Sequence, residues 1–135
     1  MDSTMSREEG LSPINILLVE DCESNVLLIE LYLKDFPCVL DVADNGLVGL
    51  EKFMETRYDV VLMDIQMPVM DGYESTRRMR EVERGDGRGR TPVIAITAHA
   101  FTENREKVLA AGCDRFMTKP VSKADLLGVI RGIMS

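Results

Sequence analysis

The chain has 135 residues, a net charge of −7 at pH 7 and a hydrophobic content of 45% without tryptophan. This length suits one domain with a sizeable core, and the composition is that of a globular protein rather than a disordered one. The acidic balance argues against direct binding to nucleic-acid phosphates or to a membrane of anionic lipid, because both need clustered basic side chains.

Residues 1–12 are polar and acidic, which argues against a signal or transit peptide and predicts a flexible leader ahead of one domain over residues 13–135. Cys22, Cys38 and Cys113 are widely spaced and form no Cys-x-x-Cys pair, as expected of reduced thiols in a cytoplasmic protein. No apolar run in the sequence reaches the ~18 residues that a membrane span needs.

Short apolar runs alternate with longer stretches of helical periodicity along the chain. We predict strands at residues 14–19, 39–43, 60–63, 92–96 and 115–117. Helices are predicted at about residues 26–36, 47–54, 73–83, 101–111 and 124–133, with Pro37 ending the first and a left-handed Gly112 ending the fourth. This alternation, with strands that are apolar on both sides, indicates a parallel sheet covered by helices on both faces.

The third predicted helix should bury Met79 and Val82 and leave Arg77, Arg78 and Arg80 largely in solvent. The glycine-rich segment 85–90 follows this helix and precedes a strand. A phosphate-binding loop needs the opposite order, so we expect a flexible surface connection. The predicted buried side of the last helix carries Ala124, Leu127, Val129, Ile130 and Ile133.

The most informative residues are acids at the ends of apolar runs. The run 60–63 ends abruptly in Asp64, and the run 14–19 ends in Glu20 and Asp21. Ligands of an open parallel sheet bind beyond the carboxyl ends of its strands, so these acids should converge there. Neighbouring carboxylates repel one another unless a cation joins them, and an all-oxygen set favours Mg²⁺, with Mn²⁺ as the alternative.

Further polar groups are expected at the same edge of the sheet. The fourth predicted strand leads into Thr97 and Ala98, and the fifth leads into Lys119 and Pro120. Lys119 suits a phosphate oxygen as a compact charge, Thr97 can donate its hydroxyl to another oxygen, and the small Ala98 leaves room for the incoming group. A cis Lys119–Pro120 bond would aim the ammonium inward. The set predicts phosphoryl transfer, with the Asp64 carboxylate as the nucleophile that forms an acyl phosphate.

Taken together, these residues resemble a response-regulator receiver domain of two-component signalling. The resemblance covers Ile14 to the C-terminus and implies a flavodoxin-like, doubly wound (βα)5 fold with strand order 2-1-3-4-5. It also implies a signalling switch that catalyses only its own phosphorylation and dephosphorylation, rather than an enzyme. The motifs that carry it are Glu20-Asp21, Asp64-Ile65-Gln66-Met67-Pro68-Val69-Met70-Asp71-Gly72, Thr97-Ala98 and Lys119-Pro120.

The resemblance implies a role for each residue of the site. Asp64 would be the phosphoacceptor. Asp21, Asp64 and the backbone carbonyl of Gln66 would bind Mg²⁺, with Glu20 acting through water. Thr97 and Lys119 would contact the phosphoryl group.

Two further positions differ from common members of the family or admit more than one role. Phe116 stands where the family often has a switch tyrosine, and its rotamer would report phosphorylation; a plain core phenylalanine is the alternative. His99 and Gln66 stand at positions that tune the lifetime of the phosphoryl group. For His99, a metal ligand and a solvated loop residue remain open as alternatives.

The resemblance also implies the partners. A histidine kinase or a histidine phosphotransfer protein would supply the phosphoryl group, and Thr97 and Phe116 would then change the face formed by helix 4, strand 5 and helix 5 for a downstream protein. Asn25 and the segment 97–100 are similar to receivers of hybrid histidine kinases. Two forms stay open: a stand-alone regulator, and a receiver module that passes phosphate to a phosphotransfer protein.

Other classes of function account less well for the residues. An aspartyl-nucleophile phosphatase needs a second acid two residues after the nucleophile, where this chain has Gln66. A flavin-binding electron carrier shares the strand order, but the acidic segment 20–23 would repel its phosphate. A pseudo-receiver with purely structural interactions would not need the complete phosphorylation set.

Overall fold

A computed structural model describes residues 13–67, 69–98 and 102–134, and the leader predicted for residues 1–12 lies outside this range. Within the described residues, five parallel strands alternate with five helices and form one sheet in the order β2-β1-β3-β4-β5. The predicted fold class and strand order are therefore confirmed. The strands are β1 Ile14–Val19, β2 Cys38–Ala43, β3 Val60–Asp64, β4 Val93–Thr97 and β5 Arg115–Thr118; the helices are α1 Glu23–Tyr32, α2 Gly46–Glu55, α3 Gly72–Asp86, α4 Thr102–Ala110 and α5 Lys123–Met134.

The central strand β3 and its neighbour β4 are buried along their whole length. Every residue of β3 and of β4 is buried, as expected for parallel strands that helices cover on both faces. Successive side chains point to opposite faces, so Val61 and Met63 join one apolar cluster and Val60 and Leu62 join another. The carboxyl ends of the strands align at one edge, where Val19 lies opposite Met63, Asp64 opposite Ile96, and Thr97 opposite Thr118.

Helix α1 ends earlier than the sequence predicts. It ends at Tyr32 rather than near residue 36, and Leu33 is its C-terminal cap. The backbone then tightens, with Lys34 N–H donating to the Leu31 carbonyl and Phe36 N–H donating to the Leu33 carbonyl. Bonds between residues three apart are tighter than those of an α-helix, so the α-helical pattern ends before Pro37 is reached.

The prediction that Arg80 is solvated is wrong, because Arg80 is 6% exposed and lies inside an ion network. Its Nη1 donates to Glu83 Oε1 at 2.9 Å and to the Thr91 carbonyl at 2.8 Å. Its Nη2 donates to Asp114 Oδ2 at 2.9 Å, and both Nε and Nη2 donate to the Gly112 carbonyl. The side chain thus joins α3 to the segments that flank β4 and β5.

The glycine-rich segment is also more ordered than predicted. Helix α3 continues to Asp86, and Gly87 caps it in the left-handed conformation with φ of 72°. The Arg88 side chain, only 8% exposed, donates to the carbonyls of Phe53 and Met54 at the end of α2. Arg88 therefore ties the segment to α2, while the rest of the segment lies at the surface as predicted.

The buried face of α5 is shifted from the predicted one. Leu126 and Ile130 are fully buried, whereas Ala124 is exposed. Leu126 and Ile130 are four residues apart and therefore share one face of the helix, which packs on the sheet. Gly112 has the predicted left-handed backbone, with φ of 106°. Among the described residues, none of the helices combines the length and apolarity of a membrane span.

Candidate functional site

Three carboxylates meet at the carboxyl edge of the sheet. Glu20 and Asp21 directly follow β1, and Asp64 is the last residue of the neighbouring strand β3. One carboxylate oxygen from each residue lies within 4.8 Å of the other two. Glu20 and Asp64 are buried, whereas Asp21 is exposed. The structure therefore brings together the acids that the sequence predicts to converge.

A lysine reaches the same cluster from β5. Lys119 Nζ lies 3.3 Å from Asp64 Oδ1 and 3.5 Å from Glu20 Oε1. The backbone holds this position, since Lys119 N–H donates to the Thr97 carbonyl at 2.8 Å. The Lys119–Pro120 peptide bond is cis, as anticipated. Burial opposes charge on the ammonium, but the Asp64 and Glu20 carboxylates outweigh it and raise the pKa of Lys119.

Among the residues that the structure describes, Lys119 is the cation paired with this acidic cluster. Burial, together with the nearby Glu20 carboxylate, raises the pKa of Asp64 to about 6, although Lys119 opposes the shift. One ammonium thus faces three carboxylates that are all within reach of a single ion. Because every carboxylate donor is oxygen, the residues fit a hard divalent cation such as Mg²⁺.

The loop from β3 to α3 is packed tightly against Asp64. Gly72 N–H donates to the Ile65 carbonyl at 3.0 Å. A Cβ atom at Gly72 would lie 2.5 Å from the Asp64 carbonyl oxygen and 2.9 Å from Ile65 Cα, so this approach requires glycine. Asp71 caps α3 by accepting from Glu74 N–H at 2.9 Å. The start of α3 therefore fixes the backbone that carries the Asp64 carboxylate.

Gln66 contributes to the site through its backbone. Its N–H donates to Asp64 Oδ1 at 3.3 Å, while its side chain is exposed. On the other side of the cluster, Cys22 N–H donates to Glu20 Oε2 at 3.2 Å. Sequence reasoning missed this second bond, because a backbone donor leaves no signature in residue type. Both bonds orient carboxylates toward the shared space.

The residues predicted to respond to phosphorylation lie on β4 and β5. Thr97 is the buried last residue of β4, and Ala98 beside it is exposed. Phe116 lies opposite Ala95 on β5, half-buried against the apolar cluster between the sheet and α2–α4. His99 lies outside the described residues, so its roles remain predictions.

An apolar pocket opens beside the acids, and sequence reasoning missed it. Its volume is about 240 Å³, and its polar lining residues are Glu20, Asn25 and Lys119. Helix α1 supplies Leu28 to the wall and exposes Leu27 and Leu31 nearby, at 60% and 65%. The sequence did carry a signal for it, because nearly every position from 26 to 31 is apolar. A helix that buries one face needs fewer apolar residues, so some of these must line a surface or a pocket.

Comparison with known proteins identifies the class of this fold and site. The family model described as "Response regulator receiver domain" matches residues 16–131. Sensor histidine kinase GacS of Pseudomonas protegens is 36% identical over 115 residues, which are 85% of this chain and 12% of that protein. Hybrid signal transduction histidine kinase G of Dictyostelium discoideum is 42% identical over 119 residues, which are 87% of this chain and 3% of that protein.

Two solved structures share the fold closely. The receiver domain of sensor histidine kinase PA1611 from Pseudomonas aeruginosa, solved with magnesium in its active-site cleft, is 37% identical with a TM-score of 0.81, covering 92% of this chain and 100% of that one. The receiver domain of histidine kinase CKI1 from Arabidopsis thaliana, complexed with Mg²⁺ and BeF₃⁻, is 32% identical with a TM-score of 0.81, covering 96% and 95%.

This chain belongs to the response regulator receiver domain family. Its function is therefore that of a phosphoacceptor signalling domain. The chain spans a small part of the curated relatives above, 12% and 3% of their lengths.

Proposed function

We propose that Asp64 accepts a phosphoryl group from a phosphohistidine of a partner protein and that the resulting acyl phosphate switches the surface of the domain. One observation carries this proposal: a buried carboxylate has a lysine ammonium 3.3 Å away and two further acids within ion-sharing distance. A structural ion pair would not need the additional carboxylates, whose mutual repulsion destabilises the fold.

In the proposed reaction an Asp64 carboxylate oxygen bonds to phosphorus while the bond between phosphorus and the histidine nitrogen breaks. The imidazole leaves with the electron pair of that bond. The transfer depends mainly on positioning and on compensation of charge. Lys119 compensates part of the added charge of about −1.5 to −2, and the buried Thr97 at the end of β4 donates its hydroxyl to a phosphoryl oxygen.

Glu20, Asp21 and Asp64, with the backbone carbonyl of Gln66, are the residues that would hold Mg²⁺. When bound, the ion neutralises the acidic cluster and the incoming phosphoryl oxygens. Support comes from the shared space between the three carboxylates and from the relatives whose structures contain Mg²⁺.

The proposed donor is a histidine kinase or a histidine phosphotransfer protein. Helix α1 follows Glu20 and Asp21 in the chain, and its exposed leucines offer an apolar contact to such a partner. The similarity to histidine kinases favours the hybrid-kinase form, in which the phosphoryl group moves on to a phosphotransfer protein. A stand-alone regulator that acts on a downstream protein through the α4–β5–α5 face is the second form. We propose that the protein acts in the cytoplasm.

Incubation with acetyl phosphate and Mg²⁺ tests the proposal. Intact mass should show the gain of one phosphoryl group, which hydroxylamine removes because an acyl phosphate is labile to it. Asp64→Asn should abolish the gain. Asp71→Asn is the matched control, because asparagine still caps α3 and the carboxylate of Asp71 bonds to Glu74 N–H rather than to the acidic cluster. Phosphorylation of Asp64→Asn at the wild-type rate would contradict the assignment.

A further inference from the structure

An arginine of α4 covers the ring of Phe116. Arg105 Cζ lies 5.7 Å from the ring centroid, within the distance at which a guanidinium is attracted to an aromatic face. Arg105 is exposed, and three residues further along α4 the fully buried Val108 anchors the helix on the core. The arginine therefore reaches the ring from the solvent side.

The other side of Phe116 faces the interior. The ring packs against the apolar cluster that contains Ala95 and Val108, and Ala95 is its partner in the β4–β5 register. A phenylalanine has no hydroxyl with which to hold an outward orientation. Among the described residues, packing on one side and the Arg105 cation on the other hold the ring in this position.

We propose that Arg105 is a latch that stabilises the resting orientation of Phe116 and must release the ring when the domain is phosphorylated. This inference rests on the function proposed above and names a regulator of it. A contact made in one state only shifts the equilibrium between states by its full free energy. Arg105 is a positioning residue, since it acts on Phe116 and lies on the solvent side of the ring.

The size of the effect follows from the exposure of the contact. Cation–π pairs at exposed sites change an equilibrium by about twofold to fivefold. When the active orientation is a minor state, the apparent affinity of a ligand that requires it improves by the same factor as that state gains in population. Removal of the cation should therefore lower the half-saturating concentration of a phosphoryl mimic about twofold to fivefold.

The experiment compares the full chain with Arg105→Met, which keeps an unbranched apolar stem but loses the charge. Beryllofluoride with Mg²⁺ is the probe. A second readout examines the resting variant without the probe and uses beryllofluoride only on the wild type, as the reference. Fluorophenylalanine labels all four phenylalanines of the chain for ¹⁹F NMR, and Phe116→Leu identifies the Phe116 signal. In the resting Arg105→Met protein, that signal should move in the direction in which beryllofluoride moves it in the wild type. Arg105→Lys should lie closer to the wild type in both readouts.

A matched control exists on α5. Arg131 Cζ lies 5.9 Å from the ring of Phe36, so Arg131→Met removes the same charge from a similar contact that involves neither Thr97 nor Phe116. It should leave beryllofluoride binding unchanged. Equal effects of Arg131→Met and Arg105→Met, or an Arg105→Met protein identical to the wild type in both readouts, would overturn the latch. Beryllofluoride binding by the wild type but not by Asp64→Asn would show that the proposed function holds even if the latch fails. Absence of such binding would remove both proposals.

Discussion

Replacing Arg80 with methionine should destabilise the domain by about 3–5 kcal/mol, the range for removal of one partner from a buried ion pair. The Arg80 and Glu83 side chains are each 7% exposed, and Nη1 of Arg80 lies 2.9 Å from Glu83 Oε1. The same guanidinium bonds to Asp114, 28% exposed, and to the carbonyls of Thr91 and Gly112.

The magnitude reflects groups left without the cation rather than the strength of one bond. Glu83 keeps a bond from Thr91 N–H at 2.7 Å, and Asp114 keeps bonds from Val93 N–H and from Arg90. These remaining donors place the expected loss toward the lower end of the range. Burial of uncompensated carboxylate charge still carries most of the cost.

Urea unfolding followed by circular dichroism measures the effect, with Arg77→Met as the control on the same helix. The side chain of Arg77 is 53% exposed and pairs with Glu74, so its loss should cost at most about 1 kcal/mol. A second comparison, Arg80→Met with Glu83→Leu, should recover part of the stability because the stranded acid is removed. Arg80→Met and Arg77→Met of equal stability would refute the reasoning.

Three other outcomes are expected. Burial and the Asp41 carboxylate, whose Oδ2 accepts from Tyr58 at 2.6 Å, raise the pKa of Tyr58 to about 12. Tyr58→Phe should therefore cost about 1–2 kcal/mol below pH 10, with the gap to the wild type closing as pH rises from 10 to 12; a constant gap would contradict this. Val69 is 78% exposed and has a left-handed backbone with φ of 71°, which is strained for a β-branched residue. Val69→Asn should therefore raise the free energy of unfolding, measured by thermal unfolding, by about 0.5–1 kcal/mol, and a less stable variant would contradict this. Leu31→Ser should slow phosphorylation by a phosphotransfer protein about fivefold and leave acetyl phosphate unaffected; equal slowing with both donors would exclude a docking role.

The residues that lie together at the carboxyl edge could be predicted from the sequence because parallel strands end there. The apolar runs before Glu20 and Asp64 specify buried strands, and the order of the strands makes those ends neighbours. The position of Lys119 could be predicted for the same reason, since it directly follows strand β5. What the sequence does not encode in residue type is the backbone donors, such as Cys22 N–H and Gln66 N–H, which depend on loop geometry.

Two buried arginine side chains show a different limit. Arg80 was predicted to be solvated because charged side chains seldom lie inside a protein, and the docking of Arg88 was not predicted at all. Helical spacing indicated otherwise for Arg80, because Thr76, Met79 and Glu83 lie on the buried face of α3 and Arg80 shares that face. For Arg88 the partners are carbonyls at the end of α2, which tertiary packing alone brings within reach.

Beryllofluoride binding in the presence and absence of Mg²⁺, measured on the wild type and on Asp64→Asn, tests the phosphoacceptor assignment most directly. Saturable binding should require both Mg²⁺ and the Asp64 carboxylate, because the acids and Lys119, which lie together at this edge of the sheet, are the proposed site of the phosphoryl group. Binding by Asp64→Asn with wild-type affinity, or binding by the wild type without Mg²⁺, would contradict the account.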